Sequence, residues 1–216
     1  MIEFKEWPKT PRLFRDMIVT EKIDGTNAAV VIEPYTDDHE TTVRTGGAVR
    51  TNDCVVYAQS RNRLVSPGAD NCGFAAWVWT HAPDLVRLLG PGRHFGEWWG
   101  SGIQRGYGLT NGEKRFSLFN VHRYEKAFSA YYESNGNVWP ELITSGRLGV
   151  VPTLHVGPFS TNAVRRQLDH LDQTGSAAAP GFMRPEGVVV FHAASGAVYK
   201  ATLENDEAPK GALKAA

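Results

Sequence analysis

The sequence predicts an α+β fold of largely antiparallel sheets with a few flanking helices. Short apolar, β-branched segments bounded by turn residues recur along the chain, while helical periods are few. No strand–helix–strand alternation of the kind that builds a parallel sheet is present. A length of 216 residues allows one sizeable domain. The reading is a single domain over 1–216, with room for two sub-sheets about a cleft.

Taken in order, residues 1–16 carry Pro8 and Pro11 and no period, an extended lead-in. Met17-Ile18-Val19 and Ala28–Ile32 read as buried strands, with Asp24-Gly25 between them as a tight-turn signal. Thr36–Glu40 reads as a polar hairpin loop leading to a strand near Thr41–Arg44, and Asp53–Ala58 as a further strand. Phe74–Trp79 predicts a helix packed on the sheet. Pro83 then starts a second, short helix with Leu85, Val86, Leu88 and Leu89 on one face and Gly90 as its stop. His94–Gly100 is an aromatic strand, Gly100–Gly112 a long loop, and Phe116–Val121 a strand. Tyr131–Gly136 reads as a turn or insertion, and Ser160 caps a helix through Leu171 with Val164, Leu168 and Leu171 inward. Gly175–Gly181 predicts a flexible small-residue loop. Pro185–Phe191 and Ala197–Thr202 form a final hairpin about Ser195-Gly196, and the tail from Glu204 is expected to fray.

Bulk properties narrow the function. Lysine and arginine total 23, aspartate and glutamate 23, so the net charge is zero, which counts mildly against non-specific nucleic-acid binding. No apolar run reaches membrane-spanning length, and Met1–Glu6 lacks a signal-peptide core. Cys54 and Cys72 are too few and isolated for a disulfide framework or a zinc site, so both are expected as free thiols in a cytoplasmic setting. Zincin, Walker A, GxGxxG and GxSxG patterns are absent.

The residue around which chemistry gathers is Lys22, at a strand end between apolar flanks. A free lysine amine, with a pKa near ~10.4, is protonated and cannot attack. Desolvation or a nearby cation yields the neutral nucleophile that covalent catalysis requires. The commoner fate of such a lysine is to sit idle in water, so the other residues must decide. Glu97 lies between Gly96 and the Gly100 loop, where backbone can approach a ligand closely; as an edge-strand carboxylate it would merely face water. Phe119 is either core or a purine-stacking face. Glu186 stands at the mouth of a buried strand, and Lys200 on the next strand is its expected cross-strand ion partner.

In order, these residues resemble the motifs of the covalent nucleotidyltransferases, the ATP-dependent ligases and mRNA capping enzymes. The motifs are Lys22-Ile23-Asp24-Gly25, Ser60-Arg61, Phe95-Gly96-Glu97, Phe116–Phe119, Glu186–Val189 and Val198-Tyr199-Lys200. Glu21-Lys22-Ile23 followed by Gly25-Thr26-Asn27, with Gly100 and Gly102-Ile103-Gln104 after Glu97, is similar to the RNA ligase 2 group. The resemblance spans roughly residues 17 to 202 and implies a nucleotidyltransferase domain of ATP-grasp-like ligase fold.

The resemblance further implies that Lys22 attacks the α-phosphate of ATP to form a lysyl-AMP, with Lys200 supplying catalytic charge. Glu21, Asp24, Gly25, Asn27, Arg61, Glu97, Phe119, Glu186 and Lys200 would bind the nucleotide. Glu186 would hold Mg2+ or Mn2+. AMP would pass to a 5′-phosphate end of RNA or of a nicked duplex, and a 3′-hydroxyl would seal it, as in RNA repair. An intracellular enzyme is implied, with a phage genome as one source. Three departures stand out. Thr202 occupies a position where the group tends to carry a second lysine, and Asp24 one where it tends to have histidine. Only fourteen residues follow Thr202, so no OB-fold or other C-terminal domain is expected. A minimal DNA ligase and a non-sealing nucleotide- or RNA-binding module of the same fold stay open beside the RNA ligase.

Overall fold

Two largely antiparallel sheets diverge from the segment that carries Lys22. The structure, a computed structural model, describes residues 2–51, 53–70, 72–204 and 206. Strand β1 (Asp16–Lys22) alternates exposed and buried positions, placing Met17, Val19 and Glu21 on one face and Ile18, Thr20 and Lys22 on the other. Four residues on, β2 (Thr26–Pro34) starts, nearly continuous in apolar character because both its faces are covered. After a 3₁₀ turn at Asp37–His39 come α1 (Glu40–Arg44), β3 (Val49–Thr51), β4 (Cys54–Ser60), β5 (Leu64–Val65) and α2 (Phe74–Leu89). Then follow β6 (Gly92–Gly100), β7 (Lys114–Leu118), α3 (Val121–Ser134), α4 (Glu141–Thr144), β8 (Leu148–Val150) and β9 (Thr153–Pro158). The described chain closes with α5 (Thr161–Thr174), β10 (Gly187–His192) and β11 (Ala197–Thr202).

The smaller sheet runs β11-β10-β1-β9, and the larger β3-β4-β2-β6-β7-β8 with β5 paired to β4. Every pairing is antiparallel except β7 with β8. The architecture is the expected α+β class. Each sheet has its own apolar core. Val30, Val56, Ala58, Trp98 and Phe116 pack under α2 and α3, while Met17, Val19, Val188 and Val190 pack under Leu171 and Ala163 of α5. A third cluster of Ile23, Trp99, Tyr107, Val121, Val151 and Ala179 lies where the sheets meet.

Five local expectations are corrected. Asp24-Gly25 is not a hairpin turn, because β1 and β2 belong to different sheets. Glycine is needed at 25 for close approach: a Cβ there would lie 2.5 Å from the Trp98 carbonyl oxygen and 2.8 Å from Trp99 Cβ. Residues 40–44 are helical despite their β-branched Thr41, Thr42 and Val43, entered through a capping box between Thr36 and His39. Residues 74–89 form one helix rather than two, with Pro83 inside it on the exposed side, where the Trp79 carbonyl it leaves unbonded is near water. The expected turn at 131–136 begins as the last turn of α3, whose Asn120 cap accepts from the Arg123 amide. The Gly175–Gly181 loop is anchored, with Ser176 and Ala179 buried. Most of the tail expected to fray lies outside the described residues.

Candidate active site

Lys22 is the last residue of β1, opposite Gly187 at the first position of β10. Its ammonium donates to Glu186 Oε2 at 2.5 Å, with the two side chains 18% and 10% exposed. Where apolar walls alone are expected beside Lys22, a carboxylate adjoins it. Glu186, one residue outside β10, thus aims across at the nucleophile's strand.

Across the cleft, Glu97 of β6 pairs in register with Asn27 of β2. Its Oε2 accepts from Asn27 Nδ2 at 2.7 Å and its Oε1 from the Gly25 amide at 3.1 Å. Burial pushes its carboxyl up to about 7, against the pull of the Asn27 bond, the Lys22 charge and the Gly25 amide, and with a further push from Glu186. Glu97 therefore feels both members of the Lys22–Glu186 pair, so two acids flank one amine. The alternative of a solvated edge carboxylate is set aside: β6 lies between β2 and β7, and Glu97 is 7% exposed.

Glu21 faces the other way. Its carboxylate accepts from Ser176 Oγ at 2.6 Å and the Ala178 amide at 2.9 Å, and burial raises its pKa. It anchors the loop that delivers Glu186, and only its backbone adjoins Lys22. Asp24 accepts from Arg105 Nε at 3.2 Å, and its amide donates to Tyr107 Oη at 2.8 Å. The Tyr107 hydroxyl in turn donates to the Lys22 carbonyl at 3.5 Å. Tyr107 is 2% exposed, and burial pushes its phenol up.

Lys200 sits opposite Val189, itself opposite Thr20, so it shares the sheet face of Lys22. It is exposed and forms no ion pair among the described residues. The expected Glu186–Lys200 pair is absent because Glu186 precedes Gly187, which pairs with Thr202, and its carboxylate turns to Lys22. Phe119, just beyond β7, is 43% exposed rather than core, its amide tied to the Phe95 carbonyl at 3.0 Å. Arg61 follows Ser60, the partner of Ala28, and is exposed. Thr202 Oγ1 donates to the Glu204 carbonyl at 2.9 Å and also bonds Asp206 Oδ1 at 3.1 Å. The structure thus joins Lys22 to Glu186 and Glu97 to Asn27 and Gly25, with Glu97 feeling the charges of the first pair. It leaves Arg61, Phe119 and Lys200 exposed and turns the Glu21 carboxylate out.

Sequence reasoning missed Tyr107 and Arg105. The available signal was a bulky aromatic between Gly106 and Gly108; Tyr107 adopts a left-handed backbone, φ 50, that its glycine neighbours make accessible.

No group of three or more His, Cys, Asp or Glu side chains forms a metal site among the described residues. The donors beside Lys22 are carboxylate oxygens alone. That set fits a hard divalent cation which takes one or two carboxylates and completes its shell with substrate phosphates. No helix of the described residues is long and apolar enough to cross a membrane.

The fold recurs among solved RNA ligases. A mutant Naegleria gruberi RNA ligase with AMP and manganese is 19% identical, with a TM-score of 0.53 over 88% of this chain and 50% of that one. A mutant of the same ligase with ATP and manganese is 18% identical, with a TM-score of 0.52 over 88% and 50%. The form with pyrophosphate is 20% identical, with a TM-score of 0.50 over 87% and 49%. This chain spans about half the length of those proteins. No curated protein matches the sequence. Residues 15–202, from the edge of β1 to the end of β11, match the family model described as RNA ligase, and the chain belongs to the RNA ligase family.

Proposed function

We propose that residues 1–216 form the adenylyltransferase domain of an ATP-dependent RNA ligase acting through a lysyl-AMP. The observation that carries this reading is the placement of Lys22 between Glu186, at 2.5 Å, and the buried Glu97. Paired with Glu186, the amine is held in an unreactive state; Glu186 would free it on holding a divalent cation. Lys22 Nζ gives one proton to water, its freed lone pair bonds to the α-phosphorus, the bond from that phosphorus to the bridging oxygen breaks, pyrophosphate leaves, and the nitrogen gives a second proton to water. Magnesium or manganese, held by Glu186, supplies positive charge to the phosphate oxygens when bound. Lys200, on the same face, adds charge there. Glu97 accepts from the ribose hydroxyls, Asn27, bonded to it, stands near the reacting phosphate, Phe119 offers its exposed ring to adenine, and Arg61 contacts phosphate or sugar. Asp24 and Gly25 fix the backbone beside the reacting centre.

In the second step an oxygen of an RNA 5′-phosphate attacks the adenylate, and the phosphorus–nitrogen bond breaks. In the third, a 3′-hydroxyl attacks that 5′-phosphate and AMP leaves. The test is incubation with α-labelled ATP and magnesium, followed by a denaturing gel. A covalent adduct is expected, absent with Lys22→Ala and absent with GTP. Lack of any adduct overturns the reading in favour of a binding module. Sealing of nicked RNA, nicked DNA and hybrids then separates an RNA ligase from a DNA ligase.

A further inference from the structure

The face of the larger sheet turned away from Glu97 carries α2. There a cavity of about 520 Å3 opens between α2, the turn at 110–114 and the residue preceding β8. None of its lining takes part in the proposed adenylylation. Two cations line it, Lys114 and Arg147, and neither has an ion partner among the described residues. The one acid in the lining, Glu113, is held by Arg115 at 2.7 and 3.0 Å. Glu141 is near enough to act on His81 but does not line the cavity.

Trp77 lines the same space, and its indole N–H is buried with no acceptor among the described residues. The neighbouring Trp98 indole, with ring centroids 5.2 Å apart, is satisfied by the Cys72 carbonyl at 2.9 Å. A buried donor without an acceptor is costly, and two unpaired cations around a polar hollow favour negative charge. One oxyanion meets the need of both cations, beside the Trp77 ring in the same lining. A tetrahedral phosphate suits them better than a planar carboxylate, because its oxygens diverge toward cations on separate segments.

We propose that this cavity is a second, phosphate-binding site, taking either free inorganic phosphate or a phosphate of a polynucleotide backbone. The test uses the full chain labelled with 15N, titrated with inorganic phosphate and, separately, with a 5′-phosphorylated RNA tetranucleotide. The Trp77 indole signal, identified by its loss in Trp77→Phe, is expected to move saturably with at least one probe. Lys114→Ala and Arg147→Ala should each weaken binding by about tenfold, the effect of removing one charged hydrogen bond. Both positions are solvent-accessible, so the variants are expected to fold. Lys22→Ala should leave the titration unchanged, which separates this site from the cleft. Tighter binding of RNA than of phosphate identifies a backbone subsite, and equal binding a free-phosphate site. An unmoved Trp77 signal, or an unchanged affinity in the double variant, overturns the proposal.

Discussion

At the scale of single residues, the cleft is a balance of three charges, one amine between two acids. Glu97 is strongly perturbed. Its folded pKa of about 7 stands above the ordinary 4.5 because burial disfavours the charge. Below pH 4.5 the folded and unfolded states are both protonated, and the group contributes no pH dependence. Between 4.5 and 7 the unfolded chain ionises first, so stability falls as pH rises, then levels off above 7. Glu97→Gln removes the penalty, and Asn27 can flip its amide to meet the new one. Thermal melts from pH 4 to 8 should therefore show this variant more stable at pH 8, by up to about 3 kcal/mol, with the gap closing at pH 4. Adduct formation with ATP should fall at the same time, as expected where a destabilising acid is kept for function. The roster of chemical groups was legible in the sequence, since motif order alone singled out Lys22, Glu97 and Glu186. Their partners were not: the Lys22–Glu186 pair depends on how a residue just outside a strand turns, which no local pattern encodes.

At the scale of elements, the long Gly100–Gly112 loop holds the backbone on which Lys22 sits. Tyr107 reaches from it to accept the Asp24 amide and touch the Lys22 carbonyl. Tyr107→Phe keeps the ring packed on Trp99 and Phe182 but leaves a part-buried amide unpaired. The expected cost is about 1–3 kcal/mol in urea melts, with slower adenylylation and little change in ATP affinity. Gly25→Ala should be worse, because its Cβ would strike the Trp98 backbone and neither strand can yield. The helix α2 gives the opposite sign. Pro83 lies exposed in its interior, so Pro83→Ala restores a hydrogen bond to the Trp79 carbonyl and should raise stability, by as much as about 3 kcal/mol, read as a higher melting temperature. Strand positions were largely readable from β-branched runs and flanking turn residues. The helix boundaries failed where a local signal met a stronger tertiary one. Apolar residues on both sides of Pro83 pack on the same core, and that burial carries the helix through the proline.

At the scale of the whole molecule, the sequence indicates one domain with two sub-sheets but gives no means of seeing where the chain crosses between them. Asp24-Gly25 carries a hairpin signature, yet the pairing partners of β1 are β10 and β9, more than a hundred residues away. Register of that kind is decided by which faces need covering, and the third apolar cluster supplies the cover at the junction. Arg105 ties the polar side of that junction. It donates to Asp24 on the β1–β2 crossing, to the Arg184 and Pro185 carbonyls before β10, and to Glu204 after β11. Three segments that must be aligned for Glu186 to meet Lys22 thus converge on one guanidinium, which its fixed fork of donors suits and a lysine would not. Arg105→Ala and Arg105→Lys should therefore both loosen the junction while leaving the two separate cores intact. Hydrogen exchange is the fitting measurement, since it resolves local opening from global unfolding. Faster exchange is expected at residues 182–188 and 23–26, with α2 and β4 unchanged, and adenylylation should drop in step with the loss of protection. Equal loosening of α2 would mean that the sheets share one cooperative core, and the role given to Arg105 would fail.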